Sequence, residues 1–163
     1  MGLLSNTSLE NGTPSSFQDR FKQIERIVII YPEHQKWLRI AKYTLGRLYN
    51  LPESFDFLIL QAPAAVTESA LENFEFAEMD YSPNKETRED LRERIAGFNP
   101  DVLFQLEPDP SERYIKLLAS MEINLKIGFG PENSGLDIVY AQKKTGFYEK
   151  NILNLIALID SPK

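Results

Sequence analysis

The chain contains no cysteine and only one histidine, His34, among its 163 residues. Without thiols it can form no disulfide, no thiolate metal site and no thiol nucleophile. A single histidine leaves a hydrolytic triad with one candidate base, and no serine lies in a Gly-x-Ser-x-Gly nucleophile elbow. The composition therefore excludes cysteine chemistry and argues against triad hydrolysis.

Long apolar runs and glycine-rich phosphate loops are also absent. No stretch approaches the roughly 18 apolar residues of a membrane span, and the first eight residues lack the basic and apolar regions of a signal peptide. The turn Gly128-Phe-Gly130 has neither GxGxxG spacing nor a following Lys-Ser or Lys-Thr. We therefore expect a cytoplasmic protein without a membrane contact and without a bound cofactor.

Positive charge is scarce where negative charge is dense. The formal net charge is −6, and residues 72–113 hold twelve acidic residues against five basic ones, a net of −7. Such a surface repels phosphate backbones, and nucleic-acid binding normally requires a basic stripe. The charge pattern predicts that nucleic acid is not a partner.

Apolar strands alternate with amphipathic helices along residues 17–163, which we predict to form one domain. Strands are expected at 26–31, 55–60, 74–79, 101–106, 125–129 and 136–140, and helices at 34–49, 82–98, 109–121 and 147–159. This order predicts a three-layer, Rossmann-like α/β fold, whose mostly parallel sheet has five or six strands and carries helices on both faces. Residues 1–16 are predicted to be a flexible polar tail, and residues 62–72 a short helix or a loop.

Catalytic candidates are few and lie after the first predicted strand. Folds of this class bind ligands beyond the carboxyl ends of their strands. Glu33 and His34 fall at that position, where a general acid or base could act. The alternative is that His34, in a polar run at a helix start, is simply exposed. Overall the sequence leans toward a protein that is not an enzyme.

Ligand-binding candidates follow the fourth and fifth strands. Glu107 and Asp109 could be paired carboxylates, and Gly128 and Gly130 flank the turn after the fifth strand. Each has a structural alternative. Asp109 stands three residues before Glu112, the spacing of a capping box, and the two glycines fit an ordinary turn. We predict no metal site.

The last predicted helix has a wide apolar face. Ile152, Ile156 and Ile159 belong to a stripe broader than packing on one sheet face requires. We therefore predict that these residues form an interface with a second copy or with another protein. The alternative is that another segment of the same chain, such as the amino-terminal tail, covers them.

Three segments carry a resemblance to a known family. They are Phe98-Asn-Pro-Asp-Val-Leu-Phe-Gln-Leu106, Ser111-Glu-Arg-Tyr-Ile-Lys-Leu-Leu-Ala119 and Lys126-Ile-Gly-Phe129. Together they resemble the amino-terminal, Rossmann-like half of heptosyltransferase-type glycosyltransferases, the GT-B enzymes of family 9. They are also similar to a family of short bacterial α/β proteins without an assigned activity. The resemblance implies a bacterial protein with a glycosyltransferase-like fold.

The chain departs from the transferase pattern at its catalytic position. The resemblance implies a Gly-Asp pair just after the first strand, where the carboxylate activates the acceptor hydroxyl. This chain has Pro32-Glu-His-Gln-Lys-Trp37 there. The nucleotide-sugar site of those enzymes lies mainly in a second domain, for which this chain has no residues after Lys163. A complete transferase is therefore not expected.

Three functions remain open on this basis. The leading hypothesis is a non-catalytic α/β module that acts through protein association. The second is a nucleotide or nucleotide-sugar binding protein that retains a degenerate glycosyltransferase-like cleft. The third is a small hydrolase or transferase with His34 as base.

Overall fold

The structure, a computed structural model, describes residues 24–51, 55–62, 74–140 and 145–160. Its strands are β1 (Arg26–Ile30), β2 (Asp56–Gln61), β3 (Phe74–Glu78), β4 (Val102–Gln105), β5 (Leu125–Phe129) and β6 (Ile138–Tyr140). Its helices are α1 (Gln35–Tyr49), α2 (Lys85–Phe98), α3 (Glu112–Ser120) and α4 (Thr145–Ile159). The predicted tail and most of the segment 62–72 lie outside the described residues. None of these helices is both long and apolar enough to cross a bilayer.

The six strands form one parallel sheet in the order β3-β2-β1-β4-β5-β6. The chain moves outward from β1 to β3, returns through α2 to β4 beside β1, and then moves outward in the other direction. Reversal of direction at the centre is the mark of a doubly wound, Rossmann-like sheet. The fold class predicted from the sequence is confirmed.

Alternation along the strands divides the core into two layers, because successive side chains of a strand point to opposite faces. Ile27 and Ile29 of β1 pack in the layer beneath α1 and α4. Val28 and Ile30 pack in the layer beneath α2 and α3. The central strands are buried on both faces, which explains why they read as continuous apolar runs.

The amino-terminal edge of the sheet is tied together across the chain. One carboxylate oxygen of Asp101 accepts the backbone N–H of Glu25 at 2.8 Å and that of Arg26 at 2.9 Å. These hydrogen bonds fix the start of β4 beside the start of β1. The pairing of the two central strands therefore begins at a defined register, with Ile27 opposite Val102.

The amino-terminal caps of two helices differ from the prediction. Helix α2 begins after Asn84, whose side chain accepts the Thr87 N–H at 2.9 Å. Ser82 belongs to the preceding turn instead, since its N–H donates to Asp80 at 2.9 Å. Helix α3 is capped by Ser111, not by Asp109, because the Ser111 hydroxyl is the group that reaches the Tyr114 N–H, at 3.2 Å.

The predicted interface on the last helix is corrected by the structure. Ile152, Ile156 and Ile159 are at most 6% exposed and lie in the core layer that α4 shares with α1. The rings of Trp37 on α1 and Tyr148 on α4 meet edge to face at 4.8 Å. The apolar stripe is wide because it packs against both the sheet and α1. These three isoleucines therefore do not present an exposed interface.

Candidate functional site

The candidate site is the crevice at the carboxyl ends of β1 and β4. The chain leaves β1 toward α1 on one face of the sheet and leaves β4 toward α3 on the other. Diverging connections at neighbouring strands open the crevice in which doubly wound folds bind their ligands. Glu33 and His34 line one side of it, and Glu107 and Asp109 follow the strand on the other side. The structure thus places the four predicted acid and base candidates on the two connections that flank the crevice, and joins three of them through the Glu107 carboxylate and the backbone N–H groups of Glu33 and Asp109.

Glu107 closes this crevice from within the chain. One oxygen of its carboxylate accepts the Glu33 N–H at 3.0 Å, and the other accepts the Asp109 N–H at 2.8 Å. A charged acceptor on two backbone donors makes strong, short hydrogen bonds. A bound anion would have to displace this carboxylate to reach the same N–H groups. The Glu107 carboxylate therefore takes the position at the loop after β1 that a bound anion would otherwise occupy.

His34 is a helix cap. Its side chain is exposed, and Nδ1 accepts the Lys36 N–H at 3.2 Å. The N-cap position normally carries Ser, Thr, Asp or Asn, whose side chains satisfy the free N–H groups of the first turn. His34 fills that role for α1. Its acceptor nitrogen is thus engaged with the backbone and is not aimed at a ligand.

Gln105 holds the base of the crevice. Its amide nitrogen donates to the carbonyl oxygens of Glu107 at 2.8 Å and Phe129 at 2.7 Å. Its amide oxygen accepts the Glu107 N–H at 2.7 Å and the Tyr114 hydroxyl at 3.1 Å. A buried amide with every hydrogen-bonding position used rigidifies its surroundings. Gln105 thereby links β4, β5 and α3.

The two glycines predicted to bind a ligand have packing roles. Gly128 is buried within β5, and a Cβ atom placed on it would lie 2.0 Å from the Gln105 carbonyl oxygen. Gly130 follows the strand, and its Cβ position would lie 3.2 Å from the Ser134 Cβ and 3.6 Å from Pro110. The missing side chains make room for Gln105 and for the contact between two loops. Neither glycine is left open to a phosphate.

Tyrosine hydroxyls complete the hydrogen bonding around the crevice. Tyr81 donates to the Tyr31 carbonyl at 2.6 Å, and Tyr148 donates to the Leu106 carbonyl at 2.7 Å. Burial, with the negative charge of Glu107 adding to it, raises the pKa of Tyr81 and of Tyr148. These hydroxyls stay protonated at neutral pH and act as donors to the backbone. They are unsuited to serve as bases.

An acidic cavity adjoins the crevice above β1, β2 and β3. Its volume is about 460 Å³, and its lining includes the acidic residues Glu33, Glu78 and Asp80 together with Tyr81 and Thr87. No cation stands among the described lining residues to offset them. The described ranges bring no three Asp, Glu or His side chains into an arrangement that could hold a metal ion. A phosphate or diphosphate would meet repulsion here.

Sequence reasoning missed Gln105 and the tyrosines. The available signal was a polar residue within an apolar strand, because a glutamine inside the run Val102-Leu-Phe-Gln-Leu106 must find buried hydrogen-bond partners. Tyrosines give a weaker signal, since they fit an apolar core as well as a polar rim.

Comparisons with known proteins establish the fold. No protein-family model matches the chain, and no curated protein matches it. Among solved structures it is similar to the glycosyl transferase family 9 protein from Veillonella parvula DSM 2008, with a TM-score of 0.60 and 12% identity. The match covers 85% of this chain and 42% of that protein. The predicted resemblance is confirmed at the level of the fold: the chain forms a Rossmann-like domain whose fold is similar to part of that glycosyl transferase.

Gln61, the last residue of β2, is the polar counterpart of Gln105, because both side chains are fully buried. Neither amide atom of Gln61 has a hydrogen-bond partner within the part of the chain that the structure describes. Replacing it with Met should therefore raise stability by about 1 kcal/mol, or about 2 to 4 °C in Tm, since desolvation of the amide is no longer incurred.

Gln105→Met is the matched control for that experiment. It removes an amide that makes four hydrogen bonds, and their buried partners are then left unsatisfied. Stability should therefore fall by roughly 2 kcal/mol or more. Urea unfolding of both variants measures the two effects. A loss of stability in Gln61→Met would contradict the assignment of Gln61 as unpartnered.

Proposed function

We propose that this chain is a non-catalytic, cytoplasmic α/β module that acts through association with another protein or with a second copy. The observation that carries the proposal is the carboxylate of Glu107, which occupies the backbone donors of the crevice. His34, Gln105 and the tyrosine hydroxyls are likewise engaged with the backbone. The groups that could do chemistry at this edge of the sheet instead hold its loops in place.

A second candidate is a protein that binds a nucleotide or a nucleotide sugar in a degenerate transferase cleft. The fold similarity to a glycosyl transferase favours it. The acidic residues Glu33, Glu78 and Asp80 in the cavity lining oppose it, because the diphosphate of a nucleotide sugar is itself negative. The chain also spans only 42% of that protein's length, so its activity does not transfer directly.

Thermal unfolding with a panel of nucleotides and nucleotide sugars separates the two candidates. A ligand at one hundred times its dissociation constant adds about 2.7 kcal/mol, which corresponds to roughly 5 to 10 °C for a domain of this size. We expect no shift with any member of the panel. A reproducible shift with one nucleotide class would overturn the non-catalytic reading in favour of the cleft.

The variant Glu107→Gln tests whether the Glu107 carboxylate holds together the two loops of the crevice. The amide retains one acceptor oxygen but loses the charge and one of the two hydrogen bonds to Glu33 and Asp109. We expect the variant to lose about 1 to 3 kcal/mol of stability, since hydrogen bonds to charged groups contribute at that level. Chemical denaturation with the wild type as reference measures the difference. An unchanged free energy of unfolding would show that the carboxylate does not hold the two loops.

A further inference from the structure

Helix α1 differs in charge from the rest of the chain. It carries Lys36, Arg39, Lys42 and Arg47 and no acidic residue, in a chain whose net charge is −6. Its buried face is formed by Leu38, Ala41, Leu45 and Leu48.

The outward face of α1 has a regular pattern. Arg39, Tyr43 and Arg47 follow one another at intervals of four residues, so they lie in a row along the helix. All three are exposed, and Tyr43 is 82% exposed. Neither arginine makes an ion pair with any residue of the described ranges. The row therefore presents an exposed aromatic ring between two cations that have no ion-pair partner in those ranges.

A groove runs beside this row, between α1 and α4. Its volume is about 730 Å³, and its lining includes Tyr43, Gly46 and Arg47 on α1 and Glu149 and Leu153 on α4. A Cβ atom on Gly46 would meet nothing within 4 Å, so the groove is open at that point. The groove can thus admit an apolar side chain next to Tyr43.

We propose that the groove between α1 and α4 binds an acidic, amphipathic helix of a partner protein. The inference rests on the proposed association function and names the chemistry of the partner. Arg39 and Arg47 are eight residues apart, or about 12 Å along the helix axis. A docked helix matches this spacing with acidic residues at positions i and i+8 and an apolar residue at i+4. Docking of an amphipathic helix into a groove is an established mode of peptide recognition.

Charge complementarity decides between this occupant and a second copy. In a two-fold symmetric dimer the same patch would face itself, and because Arg39 and Arg47 outnumber the one carboxylate of the groove lining, Glu149, two surfaces of net positive charge would meet. Like charges placed together at an interface are unfavourable. An acidic partner meets no such repulsion. Glu149, the acidic lining residue on α4, would repel the acidic side of a docked helix and so direct that side toward α1.

The test uses the full chain and a displayed library of random helical peptides as long as α1. We expect the enriched peptides to be acidic, with the i, i+4, i+8 pattern, and their affinity to fall with rising ionic strength. The double variant Arg39→Glu/Arg47→Glu should weaken binding by at least about tenfold, because it reverses the charges that select the partner. Tyr43→Ala should weaken binding and leave its salt dependence unchanged.

Arg113→Glu serves as the matched control, since Arg113 is exposed on α3 beneath the opposite face of the sheet. Arg113→Glu alters the net charge by the same amount as Arg47→Glu alone, so it is compared with that single variant, and only position distinguishes the two. Binding within about twofold of the wild type is expected, because charges more than a Debye length away are screened. An equal loss of peptide binding in this control would show that overall charge causes the effect, and it would overturn the proposal.

Four other outcomes would also overturn the proposal. They are no enrichment, neutral or basic enriched peptides, preferential binding of a single-stranded oligonucleotide that depends on Arg39 and Arg47, and self-association that Arg47→Glu abolishes. A nucleotide-dependent rise in Tm, by contrast, concerns the crevice at β1 and β4 and bears on the proposed function alone. The two failures are therefore distinguishable.

Discussion

Replacing Gly128 with Ala should destabilise the domain by about 3 to 5 kcal/mol, a large part of the stability of a natural protein. The new Cβ would lie 2.0 Å from the Gln105 carbonyl oxygen and 2.7 Å from the Gln105 Cβ. The oxygen is a backbone atom of the adjacent strand and the position of the Cβ is fixed by that backbone, so neither atom can rotate away. The two strands must separate, and the hydrogen bonds of the Gln105 amide weaken as they do.

Gly46→Ala is the internal control for this prediction. Gly46 lies in α1, and a Cβ atom there meets nothing within 4 Å. Alanine is the better helix former, so this variant should gain up to about 1 kcal/mol. Urea unfolding of the two variants should therefore give opposite signs for the same chemical change. A Gly128→Ala protein as stable as the wild type would show that β4 and β5 can move apart at little cost.

Stability should decline steeply above pH 10, because several buried tyrosines resist ionisation in the folded state. Burial raises the pKa of Tyr31 to about 12, and raises that of Tyr49, Tyr81, Tyr114 and Tyr148 as well. In the unfolded chain tyrosine ionises near pH 10. Above that pH the unfolded state binds fewer protons than the folded state, so the free energy of unfolding falls as pH rises. The contribution is complete below pH 10 and is lost through the folded pKa values.

Each such tyrosine adds a slope of at most about 1.4 kcal/mol per pH unit. Five acting together exhaust the stability of a typical domain, about 5 to 15 kcal/mol, within a few pH units. We expect cooperative unfolding between about pH 10 and 12, with phenolate absorbance and circular dichroism changing together. The variant Tyr148→Phe should make the free energy of unfolding fall less steeply with pH, by the contribution of one tyrosine. Phenolate absorbance that rises while the fold persists would contradict this mechanism.

The fold could be predicted from the sequence because it depends on periodicity. The run Arg26-Ile-Val-Ile-Ile30 is buried on both faces, and the α1 residues Leu38, Ala41, Leu45 and Leu48 repeat at helical spacing. Such patterns are local properties of the chain. The helix caps were less certain, since Ser82, Asn84, Asp109 and Ser111 are all acceptable caps, and only the path of the preceding turn decides between them.

The site could be predicted only in outline. Strand ends placed Glu33 and Glu107 at one edge of the sheet, but the sequence could not show that the carboxylate of one holds the backbone of the other. That contact joins residues 74 positions apart. The motif around Lys126 shows the same difficulty, because its ammonium group donates to the carbonyls of Leu118 and Met121 and its neighbour Gly128 accommodates Gln105. Residues that resembled a transferase motif thus have structural roles that become visible only in the folded chain.

The position of β1 at the centre of the sheet also constrains the order of folding. β1 can pair with β2 early, but its other neighbour is β4. That pairing requires the Asp101 carboxylate to reach the backbone N–H of Arg26, which lies 75 residues earlier in the chain. Contacts between such distant residues form slowly, since the loop between them must be closed first. During synthesis one edge of β1 therefore stays unpaired until β4 leaves the ribosome. Exposed strand edges promote aggregation, so slow translation before residue 105 would lengthen the period in which the nascent chain requires chaperones.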